Sequence, residues 1–401
     1  MVCGVGCLKP NRGSLEKYWS FDPDVIFLNH GSFGATPNLV MEEQNRIRAH
    51  LESDPVRFFE REAFDLMNEA NEKLSNFLNA ESDGMTFCQN ATSGVNTVLR
   101  SLILNQGDEI IIPNHSYQAC WNAIDFVASR WGAKVIVVDL PFRCESEEEI
   151  IEPLLGAITP RSVLAMIDTV TSPTGLRMPF EKLVSEFQSR GVDVLLDAAH
   201  GPGLVPMDLI KLDAAWVTGN CHKWLCSPKG SAFLHIREDK KKETKPLTIS
   251  HGHNADLSPQ EKFRFEFDWQ GTRDPSAILC IPKSIEVLQS MVSGGFDEIM
   301  EHNNTLALNA RNLLCESLGT NPPTPNSMIS AMATIDLPGT YSGGADIMGD
   351  PLHNRLLDEF DIQVPVFPWP HHKMRYIRIS AYLYNTIEEY EYLAKTLQEI
   401  C

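Results

Sequence analysis

The sequence predicts an α/β fold with a mostly parallel sheet. Short apolar runs alternate along the chain with longer stretches in which apolar residues recur at helical spacing. The run Val192–Leu196, bounded by Gly191 and Asp197, has the pattern of a strand buried on both faces of a sheet. Strands that alternate with helices are joined by right-handed crossovers, and this connection makes the strands parallel.

Each predicted element rests on its apolar spacing and on the residues that end it. Asp54-Pro55 separates the first two helices, and Gly294-Gly295 separates the two helices that precede the C-terminal part. The predicted strands are Val25–Leu28, Met85–Cys88, Glu109–Ile112, Lys134–Val138, Ser162–Asp168, Val192–Leu196, Ala214–Val217, Ser231–Ile236, Met328–Leu337 and Tyr376–Ser380. The predicted helices are Leu39–Leu51, Val56–Leu78, one within residues 89–104, one within residues 113–129, Ser146–Ala157, Phe180–Arg190, Ser276–Met291, Phe296–Leu318, Leu352–Phe360 and Thr386–Ile400.

Composition limits the classes of partner. A net charge of −19 argues against nucleic acid or an anionic membrane. No stretch approaches the ~18 apolar residues of a membrane span, and the first residues lack the apolar core of a signal peptide, so we predict a cytoplasmic protein. The ten cysteines form no C-x-x-C pair and predict buried thiols in a reducing compartment, with no metal site.

The stretch from Val192 to Gly230 carries the clearest chemical signal. Asp197 follows a buried strand, at the end where open α/β sheets place their chemistry. Lys223 follows the next predicted strand, in TGNCHKW. A lysine there is often only solvated, but pyridoxal phosphate requires a Schiff-base lysine, an acid beside its pyridinium nitrogen and donors to its phosphate. Lys223 and Asp197 suit the first two roles.

The motifs of this stretch, DAAHGPG and TGNCHKWLCSPKG, resemble those of the class V group of fold-type I pyridoxal-phosphate enzymes. FLNHGSFGATP, QNATSGVNTVL, DWQGTRDPSA and YIRISAYLYNT extend the resemblance over almost the whole chain. The chain looks most similar to the isopenicillin N epimerase-like branch, which includes plant-type L-cysteine desulfhydrases and the sulfoxide lyases of ergothioneine synthesis. The resemblance implies bound pyridoxal 5'-phosphate and a large domain whose mostly parallel sheet is of the seven-stranded type.

The resemblance also suggests a domain division. We predict an N-terminal arm over residues 1–24, a large cofactor-binding domain over residues 25–290 and a small C-terminal α+β domain over residues 291–401. The helices before residue 78 would contribute to the small domain or to a dimer interface. Gly271 and Thr272 match a family loop that donates to the phosphate of the neighbouring subunit, which implies a homodimer.

The resemblance assigns further residues to the cofactor. The backbone and hydroxyl groups of residues 91–93 lie at a predicted helix N-terminus, which suits a phosphate, although a simple helix cap is the alternative. Tyr117 or, as second choice, His115 would stack on the pyridoxal ring, and His200 would contact the phenolic oxygen. A polar residue in TVTSPTG, Thr169, Thr171 or Ser172, would share that oxygen. The phosphate donors implied are Ala91, Thr92, Ser93, Thr218 and His222.

Substrate contacts are implied at two motifs. Asn29, His30 and Gly31 in FLNHGSFGATP would lie near the substrate. Arg378 in YIRISAYLYNT matches the family arginine that holds the substrate α-carboxylate, a task suited to its planar guanidinium.

Several reactions start from the same Schiff base. Lys223 is the expected acid/base, but elimination, epimerisation and transamination all begin with loss of the α-proton. Family cysteine desulfurases carry a nucleophilic cysteine before the carboxylate-binding arginine, and residues 361–380 contain none. We therefore predict a C–S β-lyase acting on cysteine or a cysteine conjugate and forming pyruvate and ammonia. Epimerisation, with Tyr117 or His115 as a second acid/base, is the alternative, followed by transamination; His371 and His372 are candidates for protonating the leaving sulfur.

Two other classes of protein fit the sequence less well. A cofactor-free binding protein on this fold would not need Asp197, Lys223 and Arg378 together. A nucleotide-binding oxidoreductase shares the strand–helix alternation, but the chain contains neither G-x-G-x-x-G nor a P-loop.

Overall fold

A computed structural model describes residues 9–339, 350–369 and 374–400 of the chain. Its strands are β1 (Ile26–Phe27), β2 (Met85–Cys88), β3 (Glu109–Pro113), β4 (Lys134–Val138), β5 (Ser162–Asp168), β6 (Asp193–Ala198), β7 (Trp216–Asn220), β8 (Ala232–Ile236), β9 (Met332–Asp336), β10 (Ile362–Gln363), β11 (Val366–Pro368) and β12 (Arg375–Ser380). The predicted bounds of β4 and β5 agree with the structure to the residue, because both strands are apolar runs with clear ends.

The main sheet has seven strands in the order β2-β8-β7-β6-β5-β3-β4. β8 runs antiparallel to both of its neighbours, and all other pairs are parallel. The register sets Asp168 of β5 beside Asp197 of β6 and Asp197 beside Thr218 of β7. The predicted α/β fold with a mostly parallel seven-stranded sheet is confirmed.

Helices cover both faces of this sheet. The α-helices are α1 (His30–Phe33), α2 (Asn38–Ser53), α3 (Pro55–Arg57), α4 (Ala63–Phe77), α5 (Ala91–Ser101), α6 (Gln118–Trp131), α7 (Glu148–Gly156), α8 (Phe180–Ser189), α9 (Leu209–Leu212), α10 (Pro259–Asp268), α11 (Ser276–Leu279), α12 (Ile281–Met291), α13 (Gly295–Leu318), α14 (Pro351–Phe360) and α15 (Ile387–Ile400). A π-helical turn, Phe58–Glu62, joins α3 to α4, and 3₁₀ turns span Ser14–Tyr18, Ser82–Gly84, Glu238–Lys240, His251–Asn254 and Asn326–Met328. Among the described residues, no helix combines the length and the apolar character that a membrane crossing requires.

Helix α10 is the one long element that the sequence analysis did not predict. Its start carries a capping box, in which the Ser258 side chain accepts from the Glu261 amide and the Glu261 side chain accepts from the Ser258 amide. Pro259 follows at the first helical position. These signals were present in the sequence as S-P-Q-E, but the polar composition of the segment concealed the helix.

Smaller sheets build the C-terminal part. β11, β12 and β9 form an antiparallel sheet, and β1 pairs in parallel with β10. Ile26 and Leu28 are therefore packed in a core that otherwise contains residues from 307 to 397. The strand at residue 26 thus packs with the C-terminal part, although the predicted large domain begins at residue 25; the domain boundaries remain a prediction.

The described part of the predicted arm, residues 9–24, makes specific contacts that its polar composition did not suggest. Trp19 is buried and packs edge-on against Tyr382 and Tyr384. The amide of Gly13 donates to the Tyr384 carbonyl at 2.8 Å. The segment from residue 9 to residue 24 is thereby fixed beside the strand that carries Arg378.

Candidate active site

A cavity of about 730 Å³ opens at the carboxyl ends of β5, β6 and β7. This is the edge of the sheet where parallel α/β folds bind ligands. The predicted site residues that line it are Ala91, Thr92, Tyr117, Asp197, His200, His222, Lys223 and Arg378. Residues that are far apart in sequence are thus gathered in one space.

Lys223 lies between β7 and β8, where the chain turns at the edge of the sheet. Burial, aided by the positive charge of Arg378 and opposed by the charge of Asp197, lowers the pKa of Lys223 to about 8. A pKa of about 8 leaves part of the amine population unprotonated near neutral pH, which Schiff-base formation and proton abstraction both require.

Gly34 fixes the backbone under this lysine. It has φ +69°, and a Cβ there would lie 2.2 Å from the His222 carbonyl oxygen and 2.7 Å from the Lys223 carbonyl oxygen. Only a glycine allows both this backbone conformation and this close approach. The second glycine of the HGSFG motif therefore acts on the lysine loop through packing.

Two buried carboxyl groups lie side by side at the end of β5 and β6. Asp197 accepts from the Ala199 amide at 2.9 Å and from the Cys120 thiol at 3.3 Å. Asp168 accepts from the Ser116 hydroxyl at 2.6 Å. Burial raises the pKa of both groups, and the charge of Asp197 raises that of Asp168 further.

Each carboxyl disfavours ionisation of the other, because two adjacent buried carboxylates repel each other. The Ala199 amide, the Cys120 thiol and the Lys223 amine all favour the ionised form of Asp197 and lower its pKa. Asp168 therefore holds a proton more tightly than Asp197 does. No sequence pattern marks Asp168, because its importance depends on strand register.

Arg378 projects from β12 into the cavity. Its guanidinium donates to the Ser172 carbonyl and to the Ser32 hydroxyl, the latter at 3.1 Å. Its Nε is buried and has no partner among the described residues. Burial lowers the pKa of Arg378 to about 10, so the group remains charged at neutral pH. A buried cation with an unused donor is suited to binding a carboxylate.

The N-terminus of α5 borders the cavity at another side. The Ser93 amide and hydroxyl are both bonded to the Asn90 side chain, and the Ala91 amide donates to Asn220 at 2.8 Å. The Asn90 side chain therefore caps helix α5 by accepting from Ser93, so Ser93 takes part in a helix cap, which was the alternative to phosphate binding. Thr92 lines the cavity with Asn220, as does His222.

Burial lowers the pKa of His222 to about 4, and its Nδ1 bonds to the Ser231 carbonyl at 3.0 Å. That bond makes Nδ1 the protonated nitrogen of the neutral ring. An anion in the cavity would favour protonation of the other nitrogen and so create a donor.

Several predicted site residues lie elsewhere. The Thr218 hydroxyl donates to the Phe233 carbonyl at 2.8 Å and packs on Gly94, so its proton is not free for a phosphate. His115 is fully buried, bonds to Thr174 at 2.7 Å and does not line the cavity. Tyr117 does line it and is 46% exposed, so its ring is better placed than that of His115 to stack on a ligand.

The NHG motif supports the site from beneath. His30 is buried, with Nδ1 2.8 Å from the Tyr384 hydroxyl and Nε2 3.1 Å from the Lys223 carbonyl. The Gly31 amide donates to Ser380 at 3.1 Å, and the Asn29 side chain accepts from Ser32 at 2.6 Å. None of the three residues lines the cavity, whereas Ser32 does.

Other predictions fall outside the cavity. Gly271 and Thr272 are exposed, and neither lines it. Of the three candidates in TVTSPTG, Ser172 lines the cavity, whereas Thr169 and Thr171 are buried. His371 and His372 lie outside the described residues.

The described residues fit pyridoxal phosphate. The Lys223 amine, the Asp197 carboxyl group and a buried guanidinium with an unused donor face one cavity of suitable volume. The N-terminus of α5 borders the same space with Thr92, whose hydroxyl has no hydrogen-bond partner among the described residues.

Comparison with known proteins agrees with this geometry. The family model described as aminotransferase class-V matches residues 35–393. The chain belongs to the class-V aminotransferase family. The predicted membership and the fold-type I assignment are thereby confirmed.

Members of the class-V family with different activities resemble the chain. An isopenicillin N epimerase of Amycolatopsis lactamdurans is 33% identical over 95% of this chain and 96% of that protein. A probable chloroplastic L-cysteine desulfhydrase of Arabidopsis thaliana is 30% identical over 93% of this chain and 82% of the relative. The solved structure of the cystine C–S lyase C-DES with its product cysteine persulfide has a TM-score of 0.77 at 19% identity and covers 94% of this chain and 98% of its own.

Proposed function

We propose that the protein is a pyridoxal-phosphate-dependent C–S β-lyase that acts on cysteine or a cysteine conjugate. The observation that carries the proposal is the single cavity that joins the Lys223 amine, the Asp197 carboxylate and the Arg378 guanidinium. The similarity to an L-cysteine desulfhydrase supports the choice of reaction.

Lys223, Asp197 and Arg378 have distinct roles in this proposal. When bound, the cofactor makes the Cα–H bond of an amino acid acidic and takes up the electrons released there. Lys223 accepts that proton, since its pKa of about 8 leaves an unprotonated fraction at neutral pH. Asp197 stabilises a positive charge on the pyridine nitrogen, and Arg378 binds the α-carboxylate bidentately.

The side chains at the cavity favour elimination over sulfur transfer. Among the described residues that line it, none is a cysteine, so these residues supply no thiol to accept a sulfur atom. In elimination the Cα–H proton moves to Lys223, the Cβ–S bond breaks and its electron pair leaves with the substrate sulfur. Hydrolysis of the remaining aminoacrylate gives pyruvate and ammonia.

Tyr117 and Thr92 complete the proposed binding site. Tyr117 would stack on the ring, and Thr92, His222 and the α5 N-terminus would hold the phosphate. Gly271 and Thr272 are exposed and free of the cavity of their own subunit, which is compatible with donation to the phosphate of a second subunit. We accordingly propose a homodimer, located in the cytoplasm.

Epimerisation is the second candidate. The observation that favours it is the 33% identity to an isopenicillin N epimerase. An epimerase needs an acid/base on each face of Cα, and Tyr117, which lines the cavity together with Lys223, would be the second. The two reactions differ in products, because an epimerase releases neither sulfide nor pyruvate.

The test is an absorption spectrum of the protein with pyridoxal phosphate, followed by an assay with L-cysteine. We expect a Schiff-base band in the wild type, its loss in Lys223→Ala, and release of sulfide and pyruvate. Lys229→Ala is the matched control, since Lys229 also lines the cavity and its variant should keep the band. A wild-type protein without the band contradicts the proposed cofactor.

The products separate the candidate reactions. If the Schiff-base band is present but L-cysteine yields neither sulfide nor pyruvate, cysteine conjugates and their sulfoxides are assayed next. Exchange of the Cα proton with deuterium and no elimination on any of them would refute the lyase and favour the epimerase.

A further inference from the structure

A chain of hydrogen bonds leads from Trp224 through His200 to Lys223. The Trp224 indole Nε1 is 3.1 Å from His200 Nδ1, and His200 Nε2 is 3.0 Å from Lys223 Nζ. An indole N–H can only donate, so His200 Nδ1 must accept. The proton of a neutral imidazole then has to lie on Nε2.

His200 is neutral for clear physical reasons. Burial holds its pKa well below the ordinary range, and the positive charges of Lys223 and Arg378 lower it further. His222 and His30 lower it by smaller amounts. Every group identified as shifting the pKa of His200 thus opposes a second proton on the ring.

The Trp224 ring is held in place. It is fully buried, its backbone carbonyl accepts from the Tyr382 hydroxyl at 3.2 Å, and its ring centroid lies 4.9 Å from that of His30. The backbone of Trp224 is closely packed as well, since a Cβ on Gly203 would lie 2.7 Å from the Trp224 carbonyl oxygen. The indole N–H therefore points at one acceptor with little freedom to leave it.

We infer that Trp224 is a positioning residue that fixes the tautomer of His200 and so presents a permanent N–H donor to the nitrogen of Lys223. The inference deepens the proposed function and rests on it for its catalytic meaning. Lysine and tryptophan are adjacent in the HKW sequence, and this has a chemical consequence, because Trp224 reaches Lys223 through His200, which follows β6.

The donor acts on the protonation of Lys223. A hydrogen bond from Nε2–H to the nitrogen lone pair stabilises the unprotonated form and lowers the pKa of that nitrogen. Without Trp224, His200 can adopt the other tautomer, in which Nε2 accepts from the protonated form and raises the pKa. The Lys223 nitrogen then loses a hydrogen bond that favours its unprotonated form and gains one that favours its protonated form. This exchange should raise the pKa of the Lys223 nitrogen by roughly 0.5 to 2.

The first test is a pH titration of the Schiff-base absorption band in the cofactor-loaded protein without substrate. We expect Trp224→Phe to raise the pKa of the Lys223 nitrogen by at least about 0.5 units. In a His200→Phe background, the same Trp224→Phe change should shift it by much less, since no tautomer remains to be fixed. Equal shifts in the two backgrounds, or no shift in the wild-type background, would overturn the inference.

The second test reads the tautomer directly in the wild-type protein and does not depend on the cofactor. The ¹⁵N shifts of histidine in labelled wild-type protein, assigned with His200→Phe, distinguish the two tautomers and the charged ring. We expect Nε2–H at His200. The Nδ1–H tautomer or a doubly protonated ring would overturn the inference. If His200 carries Nε2–H but the protein shows no Schiff-base band, the result counts against the proposed function and leaves the tautomer inference standing.

Discussion

Replacement of Gly34 by alanine tests whether the N-terminal motif holds the lysine loop. The alanine Cβ would meet the His222 carbonyl oxygen at 2.2 Å and the Lys223 carbonyl oxygen at 2.7 Å. These are backbone atoms, so no side-chain rotation relieves the contact. The loop that carries Lys223 has to move, and we expect both stability and cofactor binding to suffer.

The magnitude has two parts. The backbone of Gly34, with φ +69° and ψ 166°, lies in a region essentially restricted to glycine, and a non-glycine residue there costs about 1–3 kcal/mol. Overpacking in a close-packed region adds about 1–3 kcal/mol. The sum of about 2–6 kcal/mol, at an unfolding entropy of about 2.1 cal/mol/K per residue for a chain of 401 residues, lowers Tm by about 2–7 °C.

Gly319→Ala is the control for a positive-φ glycine without a close contact. Gly319 has φ +67° and ψ 29°, the left-handed helical conformation, and a Cβ there would meet nothing within 4 Å. The control therefore carries only the left-handed backbone cost and should lose about 1–2 kcal/mol.

Thermal unfolding gives the Tm values, and titration of the Schiff-base band gives the affinity for pyridoxal phosphate. We expect Gly34→Ala to have the lower Tm and weakened cofactor binding, and Gly319→Ala to bind as the wild type does. If the two variants share the same Tm and the same affinity, Gly34 does not hold the loop and the reasoning is refuted.

Three further predictions concern charges. Arg378→Lys should raise KM for the amino-acid substrate roughly 10- to 100-fold in steady-state assays, because an ammonium cannot bind a carboxylate bidentately; an unchanged KM contradicts the carboxylate role. Asp168→Asn should leave kcat within about threefold because the pKa of Asp168 is raised and an amide replaces its protonated form closely, whereas Asp197→Asn should lower kcat by at least about 100-fold, a loss of about 2.7 kcal/mol; equal losses would show that the proton is assigned to the wrong carboxyl. Burial lowers the pKa of His30 from 6.5 to about 3, so between these pH values the unfolded state binds more protons than the folded state. The free energy of unfolding therefore falls as the pH drops from about 6.5 toward 3. In denaturant unfolding at several pH values, His30→Asn should lose less stability over this range than the wild type does, and an equal loss counts against this cause.

The local pattern of the sequence determined the framework of the protein. Apolar runs with clear ends predicted β4 and β5 to the residue, and the motifs around Asp197 and Lys223 predicted the cofactor class and the edge of the sheet where the site lies. These features depend on neighbouring residues and on general rules of α/β topology, so they can be inferred from one chain. The capping signals of α10 were also local, and they were overlooked because the segment is polar.

Only the tertiary structure decided which polar groups are free. Asp168 became part of the site because the register of β5 and β6 places it beside Asp197. Thr218 and His115 use their polar atoms on Phe233 and Thr174, which are distant in sequence. Hydrogen bonds of this kind depend on how separate elements pack, and a sequence pattern does not specify the partner that packing supplies. For the same reason, the path from Trp224 through His200 to Lys223 became visible only after the chain had folded.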